Sequence, residues 1–106
     1  MAKYLIEGNY VGDGIKGLLK EGGSSRREAI EKLVASVGGK LESVYYAFGD
    51  VDVYVVAELP DHASAAAVAL TATASGTVSI KTTVLMTPED IDAAAKKSPS
   101  YRPAGS

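Results

Sequence analysis

Apolar and polar residues alternate along four stretches of this chain and recur at helical spacing along others. The central stretch is Lys40–Asp61, KLESVYYAFGDVDVYVVAELPD. Leu41–Phe48 carries Val44, Tyr45, Tyr46 and Phe48, residues that suit a pleated surface. Gly49-Asp50 interrupts it as a tight turn. In Val51–Leu59, alternation sets Val53, Val55, Ala57 and Leu59 on one side and Asp52, Tyr54, Val56 and Glu58 on the other. Pro60, which has no N–H for a ladder, ends the strand, and Asp61 is placed to cap a helix.

Upstream, Lys3–Val11 alternates Tyr4, Ile6, Gly8 and Tyr10 with Leu5, Glu7, Asn9 and Val11. This predicts a strand, with Gly8 marking a bulge or a close backbone approach. Ile15, Leu18 and Leu19 predict a short helix over Asp13–Lys20, closed by Glu21-Gly22-Gly23. Ser25 and Glu28 read as a capping box for a longer helix, Ser25–Val37. Its apolar stripe is Ile30, Leu33, Val34 and Val37, and Gly38-Gly39 stops it. Arg26, Arg27, Glu31 and Lys32 sit largely off the stripe and read as a solvated face.

Downstream, Asp61–Ser75 is alanine-rich and helical, able to lie close on a sheet, and Gly76 ends it. Thr77–Met86 alternates Val78, Ile80, Thr82 and Val84 against Ser79, Lys81, Thr83 and Leu85, a fourth strand. Thr87 as cap, Pro88 at the first helical position and Glu89-Asp90 after it start a last helix, which Ile91 and Ala93–Ala95 would dock. The order is β-α-β-β-α-β with an inserted short helix and a C-terminal one. This is the α+β, ferredoxin-like plan: an antiparallel sheet of order 4-1-3-2 with both long helices on one face. Residues 1–97 form one domain and 98–106 a tail. The other sheet face, bearing Tyr, Val and Leu, calls for a cover, most simply a second copy.

Composition narrows the function classes. A chain of 106 residues, 46% hydrophobic, supports one domain with a real core. Cysteine is absent, which removes disulfides, thiolate chemistry and cysteine metal sites. The net charge is −2 with scattered basic residues, so no nucleic-acid surface is expected. No apolar run approaches a membrane span, and the first residues enter a strand rather than a signal peptide. Residence in the cytoplasm is the expectation. Nothing matches a dinucleotide fingerprint or a P-loop.

Several ordered motifs resemble one family. Gly38-Gly39-Lys40-Leu41, Tyr45 to Phe48 with Gly49, Asp52-Val53, Pro60-Asp61 and the alanine-rich helix resemble the GYD-domain proteins. Gly14-Ile15-Lys16 and the Thr82-Thr83 strand also look like that family, so the resemblance covers roughly residues 3–91. Val51 stands where the family places a tyrosine, keeping the strand chemistry without the hydroxyl. The resemblance implies a dimeric α/β barrel in which two ferredoxin-like sheets face each other. Relatives of that fold include monooxygenases, isomerases, haem enzymes and ligand sensors, and fold alone does not choose among them.

His62, the only histidine, follows the Asp61 cap and reads as a surface residue at a helix start. With no cysteine beside it, no metal site is expected. Asp50 and Asp52 could share acid–base work but read first as turn carboxylates; Asp52 is the better functional candidate because the resemblance includes it. The candidate ligand-binding set on the helix-free face is Glu7 and Asn9, Tyr46 with Phe48, Tyr54 and Glu58, and Lys81 with Thr83, joined by Asp52. Tyr54 and Glu58 share a face with roughly 13 Å between their Cα atoms, so a ligand along the strand could meet both. Converging, such residues make an apolar pocket with a few polar groups. Otherwise Glu7, Glu58 and Lys81 simply pair across strands or across a dimer.

Two functional classes follow. One is a small-molecule binding or sensing module that self-associates as a homodimer or larger homo-oligomer. The other is a cofactor-independent enzyme of isomerase or monooxygenase type, acting through Glu7 or Glu58 as base. A purely structural oligomerisation module is the third outcome. No cofactor is expected in any of them.

Overall fold

The computed structural model describes the whole chain, Met1–Ser106. Its elements run β1 (Ala2–Tyr10), α1 (Gly14–Glu21), α2 (Gly23–Ser36), β2 (Lys40–Tyr46), β3 (Val53–Leu59), α3 (His62–Ala74), β4 (Val78–Leu85) and α4 (Pro88–Ala95). The four strands form one antiparallel sheet of order β2-β3-β1-β4, the predicted order read from the other edge. The ferredoxin-like plan therefore holds.

The core lies between this sheet and the long helices. Tyr4 and Ile6 of β1, and Val53, Val55, Ala57 and Leu59 of β3, are buried against Val34 of α2 and Ala65 and Val68 of α3. Alternation drives this, since β3 is buried at every second residue. Leu59 is 0% exposed. Truncating a side chain so enclosed costs about 2–5 kcal/mol, because the cavity only partly collapses. No bulge interrupts β1, whose register is continuous on both sides. Gly8 instead marks close approach: a Cβ there would meet Val53 Cγ1 at 3.0 Å and Val78 Cγ2 at 3.2 Å.

Helix ends follow chain chemistry with one exception. Asp61 caps α3 by accepting from the Ser64 N–H at 2.7 Å, which holds its carboxyl below the usual range. Thr87 and Asp90 form the capping box of α4, with Pro88 in its first turn. Gly38, at φ 81°, closes α2 in a left-handed conformation. The exception is the expected Ser25–Glu28 box, which does not form. Helix α2 begins at Gly23 with Gly22 as its cap and no side-chain cap bond. Gly22 serves two helices: its N–H donates to Leu18 O and its carbonyl accepts from Arg26 N–H. Ser25 consequently lies inside the first turn.

The central hairpin is also wider than the sequence predicts. Strand β2 ends at Tyr46 and β3 begins at Val53, so residues 47–52 form a loop rather than a tight Gly49-Asp50 turn. The reason lies in β1. The Asp52 N–H donates to Gly8 O at 3.1 Å and to Asn9 Oδ1 at 3.0 Å, while Asp52 Oδ2 accepts from the Tyr10 N–H at 2.9 Å. Asp52 is thereby tied to β1, and the Ala47 N–H closes the loop onto Asp52 O at 2.8 Å. Phe48 is left 68% exposed in that loop.

Helix α4 does not dock. None of its residues is buried, and Ile91 is 51% exposed, contrary to the docking role expected of it. The radius of gyration is 16.9 Å. A compact chain of this length would have about 13 Å. The C-terminal arm projects from an otherwise two-layered body, and the whole chain spans 57 × 32 × 22 Å.

Candidate functional site

The register builds the helix-free face row by row. Tyr45 pairs with Tyr54, Tyr54 with Glu7, and Glu7 with Lys81, giving one row of two phenols, an acid and a base across all four strands. The next row runs Ser43, Val56, Leu5, Thr83, and the one beyond it Lys40, Glu58, Lys3, Leu85. Five of the predicted candidates, Glu7, Asn9, Tyr54, Glu58 and Lys81, therefore stand on this face. Glu7, Asn9 and Lys81 also share a shallow depression with Asp50 and Ser79. Tyr54 is 37% exposed there and makes no hydrogen bond within the chain. At the far end Lys3 Nζ meets Glu42 at 2.9 Å, and that hydrogen-bonded partner raises the lysine pKa.

Two candidates stand elsewhere. Tyr46 faces the helices. A β-bulge between Leu41 and Ser43 inserts Glu42 into β2 and moves every later side chain to the opposite face. Tyr45 takes the exposed place expected of Tyr46. The Tyr46 hydroxyl donates to Gly23 O at 3.4 Å, and burial, then the neighbouring Tyr10, pushes its pKa up to about 12. Phe48 leaves the strand altogether. Asp52, as described, spends its carboxylate on the Tyr10 N–H and acts as a backbone anchor. His62 is exposed at the start of α3, yet its Nδ1 lies 2.7 Å from the buried Tyr4 hydroxyl. No group of three metal-binding side chains converges anywhere.

The most enclosed opening is on the opposite side of the sheet. Helix α2 packs over β2, and α3 over β4. Between them, above β1 and β3, lies a cavity of about 90 Å³. Of its 14 lining residues, 11 are hydrophobic, and the other three are Gly8, Arg26 and Thr77. Arg26 is the single charged one. Tyr10, Arg26 and Thr77 also border a second, polar depression against α1, so they form the rim where the apolar cavity meets polar surface. The sequence alone places Arg26 on a solvated face. The signal was present, because Arg26 lies one turn before Ile30, at the spacing that continues the apolar stripe.

An antiparallel ferredoxin-like sheet with one covered face, one bare face and a cavity beneath its helices defines a small α+β module. Residues 4–95 match the family model of the GYD domain. The chain belongs to the GYD-domain family. No curated protein and no solved structure matches it.

Proposed function

We propose that this protein is a small-molecule binding or sensing module, resident in the cytoplasm, that self-associates through its helix-free sheet face. The observation that carries the binding reading is the apolar cavity between α2, α3 and the sheet, with its one charged side chain at the rim. Such openings, apolar with few polar groups, are the common form of a small-molecule site. The sheet face supports self-association. It presents Leu5, Val56, Tyr45 and Tyr54 among Lys3, Lys40, Glu7, Glu58 and Lys81. Both signs of charge occur, so a two-fold related copy can meet each with its opposite.

The enzyme reading draws less support. A catalytic carboxylate needs partial desolvation away from cations. Glu7 stands beside Lys81 in the register, and neither Glu7 nor Glu58 is buried.

A ligand screen by native mass spectrometry and thermal shift tests the binding reading, because anything that binds only the folded state raises stability. The same screen is run on Ala72→Phe, which fills the cavity, and on Tyr54→Phe, which removes the exposed phenol. Hits lost in Ala72→Phe and kept in Tyr54→Phe support the cavity. The opposite pattern moves the site to the sheet face. Sedimentation giving a monomer at micromolar concentration overturns the self-association.

A further inference from the structure

The cavity also carries information about what it would take. Its walls are Ile30, Leu33 and Val34 from α2, Val68 from α3, and Val55 and Ile80 from the sheet, so the body of a ligand must be apolar. Its space far exceeds the roughly 10–15 Å³ one water needs, and an apolar cavity of this kind stays dry until an apolar body fills it. The floor is already tight: no side chain fits at Gly8 without displacing Val53 and Val78.

The rim decides the charge of the other end. The Arg26 side chain makes no hydrogen bond within the chain; only its backbone N–H is bonded, to Gly22 O. Its one carboxylate neighbour, Glu21, stands 3.8 Å away, beyond hydrogen-bond reach, with its side chain 44% exposed. Asp13, the other acid of the adjoining depression, faces solvent with Lys16 beside it at 3.8 Å. A guanidinium keeps its charge at any accessible pH and presents a planar fork of donors that matches a carboxylate. A fork of donors held only by a long ion pair to Glu21, at the mouth of an apolar slot, selects an amphiphile with an anionic head.

We propose that the α2–α3 cavity binds a small apolar monocarboxylate, with a short alkyl or single-ring body under the helices and its carboxylate on Arg26. This assignment rests on the cavity being the ligand site and adds the class of ligand. The head group takes Arg26 from its loose contact with Glu21, and the Tyr10 and Thr77 side chains border the same rim.

The test uses the full chain and three probes of one length: hexanoate, hexan-1-ol and hexylamine, with benzoate and benzyl alcohol as the ring pair. Binding is read by calorimetry and by shifts of the Val34, Val55 and Ile80 methyl resonances. Hexanoate and benzoate should bind about tenfold or more tightly than their alcohols, the scale of a charged hydrogen bond. Arg26→Gln should erase that preference and leave alcohol binding unchanged. Ala72→Phe should abolish binding of every probe. Equal affinity for hexanoate and hexan-1-ol, or an Arg26→Gln variant that still prefers hexanoate, overturns the carboxylate assignment while leaving the cavity as the site. Failure of every probe to bind or to shift the three methyls in the wild-type chain overturns both. The methyl shifts decide the location even if Ala72→Phe does not fold.

Discussion

The Tyr4 hydroxyl and His62 Nδ1 lie 2.7 Å apart, with the two rings edge to face at a centroid distance of 6.1 Å. Tyr4 sits on β1, one of the two central strands, and is 1% exposed, so its phenol depends on this bond. His62, read in the sequence as an idle surface residue, thus closes the polar account of the core from the first turn of α3. Removing it leaves a buried hydroxyl unpaired, which costs about 1–3 kcal/mol. His62→Ala should therefore lower the melting temperature by several degrees. Tyr4→Phe/His62→Ala should be no less stable than His62→Ala alone, since no orphan hydroxyl remains. A double-mutant cycle with no coupling energy would show that the bond contributes nothing to stability.

Tyr46 makes stability fall at alkaline pH. Its pKa is raised from 10.0 to about 12, first by burial and then by Tyr10. Below pH 10 the phenol is neutral in both folded and unfolded chains and the contribution is fully present. Between pH 10 and about 12 the unfolded chain releases the proton while the folded one keeps it, so the unfolded state gains and stability declines. Denaturant titrations across that window should show the decline, and Tyr46→Phe should flatten it. A variant whose alkaline limb matches the wild type would assign the decline to other groups.

The alternation in β1 and β3 was enough to fix which residues form the core, because both strands are central and each of their faces meets a different environment. Strand β2 was less legible. Nothing local marks the bulge at Glu42; its side chain is held by Lys3, which is 39 residues away in sequence. The wide hairpin has the same cause, since Asp52 is fixed by Asn9 and Tyr10 rather than by its own turn. The Ser25 box lost to Gly22 because two helices share that residue, an outcome the isolated motif does not announce. The candidates on the helix-free face, Glu7, Asn9, Tyr54, Glu58 and Lys81, followed from alternation alone. The cavity did not, because it arises where two helices meet the sheet apart, over β1 and β3, a spacing that no local pattern encodes.

The C-terminal arm should be dispensable for the fold of the single chain. Helix α4 buries no residue, and an isolated helix of this length is marginal in water. Removing residues 86–106 should shift the denaturation midpoint by less than about 0.5 kcal/mol equivalent, as for surface changes. Any change in sedimentation of the truncated chain then reports the arm's part in assembly. A large loss of stability at concentrations where the chain is monomeric would mean that α4 packs on its own body in solution.

Leu5 and Val56 test the sheet face most directly. They are paired neighbours in the middle row of the helix-free face, pointing away from the core that Tyr4, Ile6, Val55 and Ala57 fill. Both are half-buried in the single chain, yet a charge at either position spares the core beneath the helices, since the side chain faces away from it. In a face-to-face dimer each such change occurs twice. Losing the burial of one aliphatic side chain costs about 1.5–3 kcal/mol, and a desolvated charge adds to that. Val56→Glu should therefore raise the dimer dissociation constant by about two orders of magnitude or more. Its circular dichroism and hexanoate affinity should match the wild type, since the cavity lies on the opposite side of the sheet. Sedimentation over a concentration series measures the first expectation. An unchanged dissociation constant would place the contact between copies on another surface, and the exposed arm beginning at Met86 would be the next to examine.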